Sequence, residues 1–310
     1  MSDVSPAGRP AVLAHHDWQS TRIAKPAGAY RRAWRRFRRN SIAMVALAIL
    51  AAIVLFVLAA DLISTHITGF DYSENHLESV LAQPGESGYI LGSDGNGRDI
   101  LTRLAYGGRV SLAVAVLATL TTLVIGGLIG LVSGYAGGWV DTVLMRLADV
   151  FLSIPALSIL ILISALYRPD QYELALVIAF VLWPGISRIV RGESLAIRKR
   201  EYVEAARIVG ASDSRIISRH ILPNVLPTVI VWSSLVIPAF ILTEAALSFL
   251  GLGVKSPTPS WGNMLSEAQP FYTTNWTNVF FPGFAIFITA LSINLAGNGL
   301  RDALDPRLEG

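Results

Sequence analysis

The stretch "SIAMVALAILAAIVLFVLAADLI", residues 41–63, decides the fold class of this protein. A helix needs about 20 mostly apolar residues to cross roughly 30 Å of hydrocarbon, and this stretch contains a single charged residue. Further apolar runs cover residues 110–132, 143–166, 172–189, 227–250 and 279–296. None of the runs alternates apolar and polar residues, as the strands of a membrane barrel do. We therefore expect an all-α membrane protein with six transmembrane helices.

The composition of the whole chain agrees with this fold class. Of its 310 residues, 53% are hydrophobic and 15% are charged, whereas a soluble domain carries about 25% charged residues. The absence of cysteine excludes disulfides, thiolate zinc sites and cysteine nucleophiles. The sequence also lacks a phosphate-binding loop, a zinc-protease motif and a serine-hydrolase elbow, and its five histidines are scattered. We expect a chain that is not an enzyme by itself and has no catalytic residue, cofactor or metal of its own.

Lysine and arginine predict the orientation of the chain, because cytoplasmic segments carry an excess of both. With a cytoplasmic N-terminus, twenty basic residues fall on the inner side and five on the outer side. Both termini are then cytoplasmic in a multi-pass protein of the plasma membrane. The predicted divisions are an N-terminal tail (1–40), a first transmembrane helix (41–63), an extracytoplasmic loop (64–109), a core with five transmembrane helices (110–300) and a C-terminal tail (301–310).

The N-terminal tail ends in a basic and aromatic segment, "YRRAWRRFRRN", residues 30–40. Recognition of nucleic acid is one interpretation of such a cluster. Contact with anionic lipid headgroups is favoured, because the cluster directly precedes an apolar run. We therefore expect membrane lipid, and no nucleic acid, as the partner of this segment.

The extracytoplasmic loop contains "LGSDGNGRDILTRLAYGGRVSL", residues 91–112, whose glycines raise the question of a phosphate or calcium loop. No strand pattern precedes the glycines. Counted from Asp94, the fifth and sixth positions of the calcium template are Arg98 and Asp99, where an acidic or amide residue and a glycine are required. We expect instead a turn held by these three residues that leads into the second transmembrane helix. Contact with an external partner is the alternative.

Small and ionisable residues within the apolar runs mark contacts between helices. Gly126, Gly130 and Gly134 recur every four residues along one helix face, where small residues let another backbone approach closely. Glu244 lies deep in the fifth run, where a carboxylate should face a cavity or a partner rather than lipid. Two interpretations of Glu244 stay open: it lines a translocation path, or it makes a hydrogen bond between helices.

The most polar well-patterned segment, "EYVEAARIVGASDSRIISRHILPN", covers residues 201–224 on the predicted cytoplasmic side. Acidic residues in its first turn favour a helix start, and Gly210 is a natural left-handed stop. Ser212 or Asp213 can cap a second short helix, which we expect to end by Pro223. Two short helices joined by a glycine turn can transmit motion from a cytoplasmic partner into the fifth transmembrane helix. A solvated interfacial loop is the alternative.

The spacing of this segment resembles a known family pattern, the EAA loop of permease subunits of ATP-binding-cassette importers. That pattern reads E-A-A-x-x-x-G, nine residues, then I-x-L-P. The matching positions are Glu204, Ala205, Ala206, Gly210, Leu222 and Pro223. His220 occupies the isoleucine position, with Ile221 beside it.

The resemblance extends from about residue 38 to residue 308. The stretches similar to the C-type permease of dipeptide and oligopeptide importers are "RRNSIAMVALAIL", "LGSDGNGRDILTRLAYGGRVSL", "ALSFLGLGVKSPTPSWGNML" and "NLAGNGLRDALDPRL". Several motifs in the right order make the resemblance specific for the family. It is less specific for the substrate, because relatives also take up nickel chelates, glutathione or antibiotic peptides.

The resemblance implies the fold of a type I importer permease, MetI-like, with residues 201–224 as its coupling helix. The E-A-A residues and Gly210 would dock into a groove on a cytoplasmic ATPase, and Leu222 and Pro223 would form a hinge. The implied partners are a homologous B-type permease, two cytoplasmic ATPases that bind ATP and magnesium, an extracytoplasmic substrate-binding protein and a peptide. Alternating access driven by ATP would then move the peptide inwards.

Two rival functions make different predictions. A passive channel or secondary transporter predicts broken helices in matched halves of the chain. Pro155, Pro184 and Pro238 interrupt runs here without visible matching. A membrane-embedded enzyme needs ionisable residues that converge at one depth, and the apolar runs offer few.

Overall fold

The computed structural model describes the backbone of residues 27–304 and the side chains of residues 33–304. Most of both predicted tails therefore lies outside the described residues. Regular structure in the described part is helical, apart from one isolated bridge between Ser93 and Asp99. The main helices are α1 (Ala27–Arg39), α2 (Ser41–Leu58), α3 (Ile100–Ala136), α4 (Gly138–Ser153), α5 (Ala156–Tyr167), α6 (Gln171–Arg198), α7 (Glu201–Ile208), α8 (Asp213–Phe249), α9 (Trp261–Ala268) and α10 (Thr277–Leu304).

Within residues 27–304, five helices are long and apolar enough to cross a membrane: α2, α3, α6, α8 and α10. The pair α4 and α5 forms a sixth candidate, but the two helices are bent by 81° at the break between them. Ile154 at this break is extended, because the residue before a proline is disfavoured in the helical region and Pro155 follows. The prediction of one unbroken helix over residues 143–166 is therefore wrong.

Helix α3 begins well before the predicted second span at residue 110. The Asp99 carboxylate accepts a hydrogen bond from the Thr102 amide (2.7 Å) and caps the helix. Residues 100–109, which the hydropathy pattern assigned to a loop, form the first turns of α3. The helix extends further than the apolar run because Arg103 and Arg109 end the run without disfavouring a helix.

Helices α3 and α6 pack closely along the predicted glycine face. A β-carbon on Gly126, Gly130 or Gly134 would stand 2.5–2.7 Å from a backbone carbonyl oxygen of α6. The three oxygens belong, in the same order, to Trp183, Ser187 and Arg191. Close packing at these glycines is thus confirmed, and α6 is the neighbour. Residue numbers increase in the same direction along both helices, so α3 and α6 run parallel. Helices α4 and α5 return the chain between them.

Helix α8 is continuous from Asp213 to Phe249, so the prediction that a short helix ends by Pro223 is wrong. Proline has no N–H to donate to the carbonyl four residues earlier. The turn Ile217–Ile221 just before Pro223 is π-helical, with the wider hydrogen-bond spacing that accommodates such a defect. Pro227 and Pro238 also lie inside α8. A helix that begins in the 201–224 segment therefore runs unbroken into the bundle.

The two ends of the bundle carry different structures. Helix α2 meets α3 near the start of α3, where a β-carbon on Gly108 would stand 2.4 Å from Val57. The beginning of α2 therefore lies at the other end, together with α7 and the ends of α3 and α6. There Phe37 and Ala43 pack against Ala303 of α10. We call this the α7 end, and we call the other end, covered by residues 64–99 and 250–276, the opposite end.

Candidate functional site

The 201–224 segment forms the predicted helix pair with a glycine turn. Gly210 has φ +85°, so the left-handed stop is confirmed. Its amide donates to the Arg207 carbonyl (3.0 Å), and the Ala211 amide donates to the Ala206 carbonyl (3.0 Å). These two bonds are the Schellman end of α7. A β-carbon on Gly210 would meet nothing within 4 Å, so the need for glycine there is conformational rather than steric.

The sequence motif residues lie on the surface of this helix pair. Glu204, Ala205 and Gly210 are exposed, and Ala206 is half-buried. Leu222 and Pro223 are exposed on α8, beyond the π-helical turn. The structure thus brings the first four together at one tip. The last two lie on the shaft that joins that tip to the bundle.

Two residues that sequence reasoning missed complete the exposed tip. The side chains of Ile208 and Val209 are 86% and 87% exposed, directly before Gly210. Large apolar side chains exposed side by side mark a surface that another protein can cover. The signal in the sequence was that two large apolar residues stand together at the end of a short helix, directly before its glycine stop.

The opposite face of the helix pair is buried against the bundle. Val203, Ile216 and Ile221 are fully buried and belong to one apolar cluster with Leu131 of α3 and Ile197 of α6. Burial of a large aliphatic side chain stabilises by about 1.5–3 kcal/mol. The helix pair is therefore packed onto the ends of two long helices. It does not have the geometry of the alternative, a solvated loop.

Tyr135, in the last turn of α3, adds polar contacts to this attachment. Its hydroxyl donates a hydrogen bond to the carboxylate of Asp213, the first residue of α8. The guanidinium groups of Arg198 and Arg207 each lie over its ring, 5.9 Å from the ring centroid. One side chain therefore contacts the ends of four helices, α3, α6, α7 and α8.

A second polar contact joins α3, α4 and α6 at the same end. Arg191 donates two parallel hydrogen bonds to Asp141, from Nε to Oδ1 (2.5 Å) and from Nη2 to Oδ2 (2.6 Å). The Ser133 hydroxyl donates to the same carboxylate. Such bidentate pairs fix geometry as well as adding energy. The ends of these helices are therefore held in register.

Glu244 is fully buried in α8. Its carboxylate accepts hydrogen bonds from the hydroxyls of Ser111 in α3 (2.8 Å) and Ser248 in α8 (2.7 Å). The Ser111 oxygen in turn accepts a bond from the backbone amide of Trp261, the first residue of α9 (3.2 Å). In this conformation Glu244 faces the interior of the chain, and its contacts are those of a hydrogen bond between helices.

The predicted turn at Asp94, Arg98 and Asp99 is present at the opposite end. Asp94 accepts bonds from the Arg98 amide (3.0 Å) and the Arg98 Nε (2.8 Å). Asp99 caps α3; burial raises the pKa of its carboxyl, and the hydrogen bond from the Thr102 amide opposes that rise. The turn is therefore confirmed as a structural element.

This turn also belongs to a buried charge cluster that sequence reasoning missed. Arg98 and Arg103, 2% and 1% exposed, both donate to Glu267 of α9, at 2.5 and 2.8 Å. Asp94 faces the same two cations. The cluster ties the predicted extracytoplasmic loop to the segment after α8.

Among the residues that the structure describes, no group of three or more His, Asp or Glu side chains is arranged to hold a metal ion.

Comparison with known proteins identifies the family. Residues 126–310 match the family described as "binding-protein-dependent transport system inner membrane component". Residues 29–84 match the "N-terminal TM domain of oligopeptide transport permease C".

Full-length relatives agree with these matches. The dipeptide transport system permease protein DppC of Alkalihalophilus pseudofirmus is 38% identical, over 90% of each chain. The oligopeptide transport system permease protein OppC of Escherichia coli is 42% identical, over 88% of this chain and 89% of the relative. The glutathione transport system permease protein GsiD of Pectobacterium atrosepticum is 38% identical, over 90% and 92%. The family predicted from the E-A-A spacing is confirmed: this chain belongs to the binding-protein-dependent transport system inner membrane components, the multi-pass permease subunits of ATP-binding-cassette importers.

Proposed function

We propose that this chain is the C-type permease of an importer that moves dipeptides or oligopeptides across the plasma membrane with energy from ATP hydrolysed by partner subunits. The observation that carries the proposal is the exposed tip of α7, mounted on a helix that continues unbroken into the bundle. Two of the relatives are named as peptide permeases, which supports a peptide as the substrate. The chain itself needs no ATP, magnesium or other cofactor.

The tip of the 201–224 segment docks into a groove on a cytoplasmic ATPase. Glu204, Ala205, Ala206 and Gly210 form the docking surface, as the resemblance implies. Ile208 and Val209 add an apolar contact, because their exposure leaves an unfavourable surface in water that a partner removes. One copy of this chain and one homologous B-type permease would then engage two ATPases.

The continuous α8 acts as a lever, and the predicted hinge at Leu222 and Pro223 lies on it. Motion of the tip passes along α8, which can bend at the π-helical turn directly before this hinge. A ligand shifts an equilibrium only by its different affinities for the two states. The tip must therefore bind the closed ATPase pair differently from the open pair, and that difference drives alternating access.

Six membrane crossings are the topology that fits the helix directions. Because α3 and α6 run parallel, the chain between them must return to the opposite end, and the bent pair α4 and α5 is the segment available for that return. The excess of basic residues on the α7 side supports a cytoplasmic α7 end, with both termini on that side. The opposite end then meets the substrate-binding protein through residues 64–109 and 251–278.

Glu244 joins the translocation path only in a state in which α3 and α8 have separated. In the described conformation the serine contacts hold its carboxylate inside the chain. Separation would turn a satisfied buried carboxylate into a polar group facing the space between helices, where a peptide amine can meet it.

Co-purification tests the proposal. The wild-type chain and the charge reversal Glu204→Arg are each solubilised from membranes and isolated, and their partners are identified. We expect the wild type to bring two ATPases and a second permease, and Glu204→Arg to lose the ATPases alone. Glu74→Arg is the matched control, because Glu74 is exposed in the 64–109 loop. Isolation of the wild type without any ATPase would instead favour a passive channel or secondary transporter.

A further inference from the structure

We propose that Tyr135 is a positioning residue, the joint that passes displacement of the cytoplasmic helix pair into α3; the inference rests on the proposed function. The lever described above leads from the tip into α8. A second long helix, α3, reaches from the α7 end to the buried charge cluster at the opposite end. With 37 residues at 1.5 Å per residue, α3 is about 55 Å long.

Tyr135 is buried in the apolar cluster beneath the helix pair and makes directional polar contacts as well. Its hydroxyl donates a hydrogen bond to the carboxylate of Asp213, the first residue of α8. Arg207, in the last turn of α7, lies over the same ring, as does Arg198 at the end of α6. A hydrogen bond to an ionised group is stronger than one between neutral groups. Any shift of the α7 tip must therefore either carry Tyr135 with it or break these contacts.

Helix α3 is built to carry such a shift as a rigid body. Its glycine face lies against the backbone of α6, which leaves no slack between the two helices. The bidentate pair between Arg191 and Asp141 joins α6 to α4, and the Ser133 hydroxyl of α3 donates to the same carboxylate. At the far end, Arg103 of α3 is bound to Glu267. Movement at Tyr135 therefore reaches the segment that closes the opposite end.

The apolar contacts beneath the helix pair do not replace this joint. Val203, Ile216 and Ile221 hold the pair in place, but dispersion contacts are non-directional and allow sliding. The hydroxyl–carboxylate bond is directional and specifies one position. Loss of the Tyr135 hydroxyl should therefore leave the helix pair attached to the bundle. A displacement of the pair should then move α3 less.

The test uses the whole complex, with both permeases and both ATPases, in proteoliposomes with the binding protein. The transported probe is a defined mixture of di-, tri- and pentapeptides, quantified by mass spectrometry. The variants are Tyr135→Phe, which keeps the ring under both arginines, and Asp213→Ala, which removes the acceptor. Tyr172→Phe is the matched control, because Tyr172 is exposed at the start of α6 and its hydroxyl makes no hydrogen bond in the described structure. The readout is ATP hydrolysed per peptide transported, together with the amount of ATPase that co-purifies.

We expect Tyr135→Phe and Asp213→Ala each to raise the ATP consumed per peptide about tenfold, the order set by one charge-assisted hydrogen bond. Both should retain the full amount of bound ATPase and the thermal midpoint of the wild type within a few degrees. The double variant should be no worse than either single variant, because both remove the same bond. A merely structural role for Tyr135 would lower yield and midpoint and leave the ratio unchanged.

An unchanged ratio in a stable Tyr135→Phe complex overturns the joint and leaves the proposed function intact. Failure of the wild-type complex to bind ATPases or to take up any peptide of the mixture overturns the proposed function, and the joint with it. Unequal ratios for Tyr135→Phe and Asp213→Ala, with additive effects in the double variant, also overturn the joint.

Discussion

Substitution of Gly130 by alanine tests the packing on which the whole bundle depends. A β-carbon at Gly130 would stand 2.5 Å from the carbonyl oxygen of Ser187 and 2.8 Å from the β-carbon of Val190. The Ser187 oxygen is a backbone atom and the Val190 β-carbon is bonded directly to the backbone, so neither can rotate away. At Gly127, three residues towards the N-terminus of α3, a β-carbon would meet nothing within 4 Å. The two glycines thus provide a matched pair with the same chemical change.

The expected magnitude follows from these distances. A carbon–oxygen contact is comfortable at about 3.3–3.6 Å, so α3 and α6 must separate locally by roughly 1 Å in Gly130→Ala. Overpacking of this kind costs typically 1–3 kcal/mol. Alanine is favoured over glycine inside a helix by about 1 kcal/mol, which is the whole effect expected for Gly127→Ala. The two variants should therefore differ by about 1–3 kcal/mol in unfolding free energy, with Gly127→Ala the more stable.

Thermal denaturation of the detergent-solubilised chain is the assay, scored as the fraction that stays monodisperse after heating at one fixed rate. At about 2–4 °C per kcal/mol for a chain of this order of size, we expect midpoints separated by several degrees. Gly127→Ala should lie slightly above the wild type and Gly130→Ala below it. Equal midpoints, or a more stable Gly130→Ala, would refute the close approach of α3 and α6.

Three further predictions concern the polar groups and the turn. Glu244→Leu should lower the thermal midpoint more than Glu244→Gln does, because leucine leaves the Ser111 hydroxyl without its acceptor, at about 1–3 kcal/mol; similar midpoints would contradict this. Glu267→Ala should destabilise by about 3 kcal/mol or more, because buried Arg103 loses a carboxylate, and a midpoint within a degree of the wild type would speak against the cluster. Gly210→Val should insert normally yet uncouple ATP hydrolysis from peptide uptake, whereas Gly210→Asn tolerates the left-handed φ; equal uptake by the two variants would refute the conformational argument.

Features written in local or periodic patterns were predictable from the sequence. The left-handed Gly210, the turn at Asp94 and Arg98, and the close face of Gly126 and its neighbours each need only a few adjacent residues or a repeat of four. Such signals carry their own physical cause, a backbone conformation or a missing β-carbon. The family resemblance likewise rests on short motifs in order.

Features that join distant parts of the chain were not predictable. Arg103 and Glu267 are 164 residues apart, and nothing in either local stretch names the other. Tyr135 looks like the end of an apolar run until Asp213, 78 residues later, is brought beside it. The effect of a proline on a helix was also not predictable, because the helix breaks at Pro155 but continues through Pro223. Its effect depends on whether a π-helical turn or an extended residue precedes it.

Site-specific cross-linking tests whether the α7 tip contacts an ATPase on the cytoplasmic side. Because the chain has no cysteine, Val209→Cys provides a single thiol at a position that is 87% exposed. The thiol is labelled with a photoactivatable maleimide in inside-out vesicles that retain their peripheral proteins, and adducts are identified after illumination. Leu77→Cys, exposed in the predicted extracytoplasmic loop, is the control. We predict that Val209→Cys cross-links to the ATPase and reacts from the cytoplasmic side, and that Leu77→Cys does neither. Labelling of Val209→Cys from the periplasmic face, or adducts without an ATPase, would contradict the account.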